Sequence, residues 1–503
     1  MASNRIQPPE PHAHPSPGES PLVRRGRGLA GPRFFPLAGL TVALAGCSLG
    51  GLRATVPPDT DAAQTAPAAW MATLPHGGDM TTLVRWWSQF DDPMLTRLVA
   101  AAQEVNPTIT SAESRLMQAR AGLASAGAEL LPRLDLRDSH QRSRGDLGAA
   151  ASTTHSLLAA ASWEIDVFGA AAAGREAARA RMEAAQLGWH EARVLVAAEI
   201  ASQYVALRAC EAQLKLAQSD AQARAEVERL TVLTTSVGFQ SPSHLGLARA
   251  SAAQGRNNVV AQRAACDSVI KLLVELSGLP EGGLRAELSP RTARMPRPAA
   301  LQVAGVPAQV LQQRPDMARA LREVRAAGAE LAQAGAQRLP QISLAGTLGL
   351  LRVDSGGHSD AGRVWSFGPL QVTLPLFDGG RIQATQDGAR ARYVEAELLL
   401  KARVRLAVRE VEDALVQLDS ARQRGDDARL AAEGFQASLR GTEGRYKARM
   451  ATLFELEDAR RSALAAQAAQ IDLQRQHVAS WIALYKALGG GWTPAADDHM
   501  AAN

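Results

Sequence analysis

Asn106–Leu134 reads NPTITSAESRLMQARAGLASAGAELLPRL, and Arg314–Ile342 reads RPDMARALREVRAAGAELAQAGAQRLPQI. The second stretch begins 208 residues after the first, and 11 of the 29 aligned positions are identical. Six of these are Ala, abundant in this chain, so the weight rests on Pro107/Pro315, Leu123/Leu331, Gly127/Gly335, Leu131/Leu339 and Pro132/Pro340. A second match, Val237–Gln254 against Ala448–Ala465, is offset by 211 and shares Leu245/Leu456, Ala248/Ala459 and Arg249/Arg460. Two distant matches at nearly one offset mean a duplicated unit of roughly 200 residues, far longer than a solenoid repeat of about 20–50. One architecture built from two similar halves is expected.

Proline placement maps the halves. None falls between Pro132 and Pro242, and none between Pro375 and Pro494. These windows hold long Ala/Arg/Glu/Gln/Leu segments, Ala177–Ser236 and Arg381–Ala487. A helix of about 60 residues runs about 90 Å, three times a bilayer core, so such helices stand in an aqueous compartment. Val404, Val411 and Leu418 are spaced by sevens, as are Leu464, Ile471, Val478 and Tyr485. Heptad spacing makes helices wrap around partners, a soluble coiled-coil rod being the plain alternative. Segments between the helices argue against that rod. Leu134–Arg144 and Ser152–Phe168 form one candidate strand pair, about 134–168. Gln341–Val353 and Val364–Phe377, separated by the loop Asp354–Gly362, form another, about 341–377. Each is long enough for a tilted membrane strand of about 9–11 residues. The second pair alternates well. The first is crowded by Arg137, Asp138, Arg142 and Arg144. Four strands cannot close a barrel alone, since the smallest have about eight, so the barrel must be shared between chains. The expected fold class is mainly α with a small β part, with helical hairpins turning near 241 and 451.

The first 46 residues read as a secretory signal. Arg24, Arg25, Arg27 and Arg33 precede a short apolar run, Phe34–Ala45, too short to span a membrane. The basic region is long, which raises Val23 as an alternative start. Leu44-Ala45-Gly46-Cys47 resembles a bacterial lipoprotein cleavage box. That resemblance implies cleavage before Cys47, acylation of its thiol and amine, and anchoring in lipid. Residue 48 is Ser rather than the Asp that resembles an inner-membrane retention signal, which favours the outer membrane. No later stretch offers about 18 uninterrupted apolar residues, so any crossing must be made by a closed β-barrel. The remaining cysteines, Cys210 and Cys266, fall on apolar heptad seams and read as packing residues. They sit level across the hairpin turning near Ser241. Bridging them would require Cα atoms within about 7 Å, which looks closer than typical helix axes.

The net charge of +5 is spread over 503 residues with acids interleaved, which excludes a nucleic-acid stripe. The ten His are scattered. His190-Glu191 lacks the second His of a zinc motif, and neither a phosphate-cradling loop nor a nucleophile elbow is present. No enzyme, cofactor or metal is expected.

Six pieces then point to a family. They are Trp86-Trp87 with Phe90, Asp92-Pro93 and Leu95; Ser162–Gly169 (SWEIDVFG); Arg314-Pro315-Asp316; Phe367-Gly368-Pro369; Pro375–Arg381 (PLFDGGR); and Ala487–Trp492 (ALGGGW). In this order, on a duplicated chain behind a lipoprotein box, they resemble the TolC-like outer-membrane efflux family, specifically its NodT-type lipoprotein branch. The resemblance covers roughly Trp86 to Trp492. It implies a homotrimer with a 12-stranded barrel, four strands per chain, above a periplasmic helical barrel. It also implies an inner-membrane pump of the resistance-nodulation-division class and a periplasmic adaptor. The chain then divides into a signal (1–46), a lipid-anchored tether (47–85), repeat 1 (86–279), a Pro-rich linker over the outside (280–313), repeat 2 (314–492) and a tail (493–503). The expected function is the exit duct of a tripartite efflux pump. A type I secretion channel is the alternative, and a lipidated adaptor or coiled-coil scaffold a more distant one.

Each half has a helix break, Val237–Pro242 and Ala448–Leu453, with Ser241 and Thr452 where N-caps are wanted. In the family these turns form the closed periplasmic entrance. Carried over by position, the constriction acids match Glu455 and Asp458, and Tyr446 matches a gate aromatic. Arg449 stands where the family usually has Gly, with Glu455 as one acid it could pair. His244 stands where it usually has Asp, a residue that could titrate between about pH 5 and 8.

Overall fold

The computed structural model describes residues 86, 87, 90–145, 150–297, 313–490 and 492. Cys47, with the signal, the tether and the tail 493–503, lies outside the described residues, as does 298–312 of the linker. The elements in order are α1 Pro93–Val105, α2 Pro107–Ala128, β1 Arg133–Ser143, β2 Ser152–Ile165, α3 Ala170–Ser236, α4 Pro242–Ser277 and α5 Glu281–Leu288. They continue with α6 Pro315–Ala336, β3 Gln341–Ser355, β4 His358–Thr373, α7 Arg381–Lys447 and α8 Leu453–Ala487.

The duplication is visible in the lengths. Helices α2 and α6 have 22 residues each, and α3 and α7 have 67 each. At 1.5 Å per residue the long pair runs about 100 Å. The two sequence offsets also find their cause. Four residues, 166–169, join β2 to α3, and seven, 374–380, join β4 to α7, so 208 becomes 211 across that linker. Helices α1, α2, α4 and α6 open on Pro, where the missing N–H is not needed.

The long helices pack through small residues. Val404, Ala407, Val411, Ala414, Leu418 and Ala421 are all buried along α7. On α8 the expected seam is buried at Val478 and Tyr485 and only half-buried at Leu464 and Ile471. A main core gathers Trp86, Leu95, Leu98, Ile200, Tyr204, Leu207, Leu273, Trp481 and Leu484. Leu284 and Leu288 of α5 enter the same core. The linker therefore does not simply run over the outside. Its first turns form a helix with two fully buried leucines.

The cysteines correct a second expectation, since Cys210 and Cys266 form a disulfide with Cα atoms 5.6 Å apart. The error lay in comparing Cα spacing with axis spacing. Cα atoms stand about 2.3 Å off a helix axis, so axes about 10 Å apart leave facing Cα atoms only about 5–6 Å apart. The hairpin is also tight nearby. A Cβ on Gly255 would lie 3.2 Å from the Ala221 Cα. Cys210 and Cys266 each lie eleven residues, three helical turns, from that contact.

The strands form one antiparallel sheet in the order β1-β2-β3-β4. The loop expected over Asp354–Gly362 is mostly strand, because Ser355 pairs with His358 and Asp354 with Ser359. Gly356 and Gly357, with φ of 58° and 85°, supply the positive angles that so tight a hairpin requires. Strands β2 and β4 stop at Ile165 and Thr373, short of the expected Phe168 and Phe377. Asp166 and Asp378 take over there. Asp166 accepts from Ala172 N, and Asp378 from Gly380 N and Ile382 N, starting the two long helices.

Candidate functional site: a one-faced sheet and joined hairpin turns

Pairing registers sort the sheet into two faces. One carries Leu134 and Leu136, Leu157 to Trp163 at alternate positions, Leu344, Leu348 and Leu350, and Trp365, Phe367 and Leu370. These side chains lie open, with Leu136 at 74%, Leu348 at 64%, Trp365 at 77% and Phe367 at 82% exposure. The opposite face is more polar, with Ser139 bonded to Ser156 and Thr347 to Ser366 across strands, both at 2.7 Å, although Leu158, Leu351, Val353 and Val364 also lie on it. The crowding of charges in β1 resolves here. Arg137 sits on the opposite face, Asp138 flanks the last apolar row beside Leu157, and Arg142 lies beyond it. The two outer strands, β1 and β4, each keep one unpaired edge. An open apolar face with free edges is unstable in water and unsatisfied in lipid, so the sheet requires further strands to close it. Among the described residues no helix is long and apolar enough to cross a membrane.

The far ends of the two hairpins are built alike. In the first, Gly238 has φ of 82°, the Phe239 N–H donates to Thr234 O, and Ser241 caps α4 through His244 N. In the second, Arg449 has φ of 60°, the Met450 N–H donates to Arg445 O, and Thr452 caps α8. The turns touch, since the Arg449 guanidinium lies 5.3 Å from the Phe239 ring centre. Behind them Val227, Ala248, Leu453 and Leu456 form a small core against which Tyr446 packs. Arg449 thus stacks on an aromatic rather than pairing with Glu455. Glu455 completes a capping box, accepting from Thr452 N at 2.6 Å and Thr452 Oγ1 at 2.9 Å. Those donors favour the charged form and hold its carboxyl below the usual value. The upward push from burial is smaller than the effect of these bonds. Asp458 is exposed and pairs with Arg461. His244 is exposed and shares a 2.5 Å hydrogen bond with Gln240 through Nδ1.

One cluster was missed by the sequence reading. Arg224 of α3 bonds Asp220 at 2.7 Å, Ser251 of α4 at 2.7 Å and Glu457 of α8 at 2.9 Å. Arg460, 2% exposed, bonds Glu457 at 2.7 Å and faces Asp220 at 3.7 Å and Glu443 at 3.8 Å. This network ties hairpin α3–α4 to hairpin α7–α8. The one available signal was the repeat identity Arg249/Arg460, yet Arg249 is exposed, so the match marked the position without its partners.

The quoted motif pieces are fasteners. Arg314 is buried, bonds Asp316 through both Nε and Nη2, and bonds Glu410 at 2.7 Å. Its Nη1 donates to Ala487 O, so Arg314–Asp316 docks on the Ala487–Trp492 ending. Gly489, with φ of 86°, is required there, because a Cβ would lie 2.9 Å from the Arg314 Cα. Burial pushes the Asp316 carboxyl up, but the Arg314 bonds and charge outweigh it and leave it below the usual value. At the start of the body, Asp92 accepts from Tyr204 at 2.8 Å, and Trp86 and Trp87 both pack on Tyr485.

Comparison with known proteins matches this architecture. The outer membrane efflux protein family matches residues 98–278 and 306–490, two segments whose starts are 208 apart, the offset of the internal repeat. The pyoverdine export outer membrane protein OpmQ of Pseudomonas putida is 30% identical over 481 residues, covering 92% of this chain and 98% of that protein. Nodulation protein T of Rhizobium leguminosarum bv. trifolii is 29% identical over 432 residues, covering 83% and 90%. The solved outer-membrane channel OprN superposes with a TM-score of 0.78 at 28% identity, covering 87% of this chain and all of that one. The two-segment match spans well over half the chain, and the relatives are covered almost end to end. The chain belongs to the outer membrane efflux protein family.

Proposed function

We propose that three copies of this chain close their sheets into one 12-stranded outer-membrane barrel and act as the exit duct of a tripartite efflux pump. The observation that carries this is the sheet, with an exposed apolar face and two free edges on only four strands. Small molecules would pass from the periplasm and an inner-membrane pump to the exterior, with an adaptor bridging the two. Membership of the family and the naming of OprN as an outer-membrane channel support this reading. In it, acylated Cys47 anchors each chain in the outer membrane. The hairpin turns form the periplasmic gate, where Glu455 and Asp458 supply negative charge, Tyr446 and Arg449 hold the turns, and His244 tunes them. Val237, Phe239, Met450 and Phe454 are 65–73% exposed at these turns and offer an apolar surface to a protein partner such as the adaptor. The test is migration of the purified protein as a heat-resistant trimer together with channel activity in planar bilayers. A monomer with no conductance overturns the proposal.

A further inference from the structure

The charged residues at the top of the apolar face form a pattern of their own. In register, the last row of apolar side chains is Leu157 and Leu350, flanked by Asp138 and Arg363. The next row is His140, His155, Arg352 and Ala361, and the row after it includes Arg142 and Asp354. Arg363 therefore stands at the edge of the last apolar row, and Arg352, Arg142 and a contacting His140–His155 pair stand just above it, on the same side of the sheet as the apolar band. Beside these rows the opposite face carries Ser139, Ser156, Leu351 and Gly362, then Gln141, Thr154, Val353 and Asp360, and its nearest cation, Arg137, lies one residue below the Arg363 row. Cations placed to line a channel would lie on the polar face. These do not.

Resting on the barrel reading, we infer that this belt binds the phosphate groups of outer-leaflet lipopolysaccharide, with Arg142, Arg352 and Arg363 as the phosphate ligands. The apolar face meets acyl chains, and Trp365, one row below Arg363, sits where aromatic girdles mark the membrane boundary. The next level outward in that leaflet is anionic phosphate, and Arg is the side chain whose fork of donors matches it. Arg352 stands between the other two arginines. Neighbouring strands are about 4.8 Å apart and alternate residues about 6.7 Å, so the Arg352 backbone lies about 8 Å from that of Arg363 and about 12 Å from that of Arg142, and the outer two are about 20 Å apart. Arg352 is held by Asp354 through Nε and Nη2, which orients it and leaves Nη1 for a ligand. It remains 59% exposed. Arg142 and Arg363 are exposed and make no ion pair among the described residues. Two acids, Asp138 and Asp354, do not balance three arginines, so the belt is net positive.

The test uses the full-length protein purified in detergent and three probes: fluorescent lipopolysaccharide, the same lipid dephosphorylated, and inorganic phosphate. Wild type should prefer the phosphorylated lipid, and R142Q/R352Q/R363Q should weaken its binding about tenfold or more. Arg137→Gln, on the polar face, should bind as wild type. Inorganic phosphate at equal concentration should not compete, because it lacks the acyl chains that meet the apolar face. Equal binding of both lipids to wild-type protein overturns the inference, whether or not the triple variant folds. So does loss of binding in Arg137→Gln equal to that in the triple variant, or full competition by inorganic phosphate. Trimer formation is checked on the same samples. Absence of trimers counts against the barrel reading, whereas a conducting trimer without lipid preference counts against this inference alone.

Discussion

Arg449 occupies a left-handed backbone position at which its repeat partner, Gly238, is free of strain. A non-glycine residue there costs about 1–2 kcal/mol, because its Cβ crowds the next carbonyl. Stacking of the guanidinium on Phe239 returns about 0.5–1 kcal/mol at an exposed site. Two substitutions separate these terms. Arg449→Ala keeps the strain and loses the stacking, so the turn opens more easily by about 0.5–1 kcal/mol. Arg449→Gly loses both and should be at least as closed as wild type. Hydrogen exchange at the Arg449 and Met450 amides, which bond Tyr446 O and Arg445 O, reads this directly. Protection in the order Gly, then Ala, is expected; equal protection would remove strain from the account of this turn.

At the scale of elements, the joint between the two hairpins is ionic and buried. Removing one member of such a pair strands a charge and costs about 3–5 kcal/mol, far more than an exposed pair contributes. Arg460→Met leaves Glu457 with Arg224 alone and Asp220 with one cation fewer, so the hairpins should separate at this level. Faster exchange in the first half of α8 and a larger conductance of the reconstituted protein are expected, with Arg460→Met/Asp220→Asn partly restoring both. Unchanged exchange would mean that packing of Leu453 and Leu456 holds the joint by itself. How much of this was legible follows the physics of each element. Long helices and hairpin turns were readable because proline gaps, heptads and cap residues are local signals. Strand β1 was harder, since Arg137 and Asp138 face opposite sides and only the partner strand reveals which. The ion network was invisible because Asp220 and Glu457 are far apart in sequence and resemble ordinary solvated helix charges. The sequence leaves the redox state of Cys210 and Cys266 open, because helix-axis spacing reads as too wide for a bridge, although their shared level is already apparent.

For the molecule as a whole, each copy of the repeat supplies two strands and one long hairpin, so three chains would present six similar units around an axis. The copies differ most usefully at the turns, where His244 faces the role that Glu455 plays in the other half. The two turns therefore carry different ionisable groups. Glu455 is held charged by Thr452, so its folded value lies below the ordinary 4.5. A carboxyl depressed in this way adds stability to its cap at pH above 4.5, and the contribution is lost as pH falls through the folded value. Its charge, and any preference of the gate for cations, should therefore be constant from about pH 5 to 8 and decline only in more acidic solution. Glu455→Gln should remove that acidic limb. It should also weaken the cap of α8, so the same variant is compared with Thr452→Ala, which loosens the cap and keeps the charge. Histidine is the residue type whose ordinary titration falls within about pH 5 to 8, and the first turn carries an exposed one, His244. Conductance and reversal potential of the reconstituted trimer across that range should shift in wild type and stay flat in His244→Ala. A pH response that survives His244→Ala unchanged would exclude the histidine as its source.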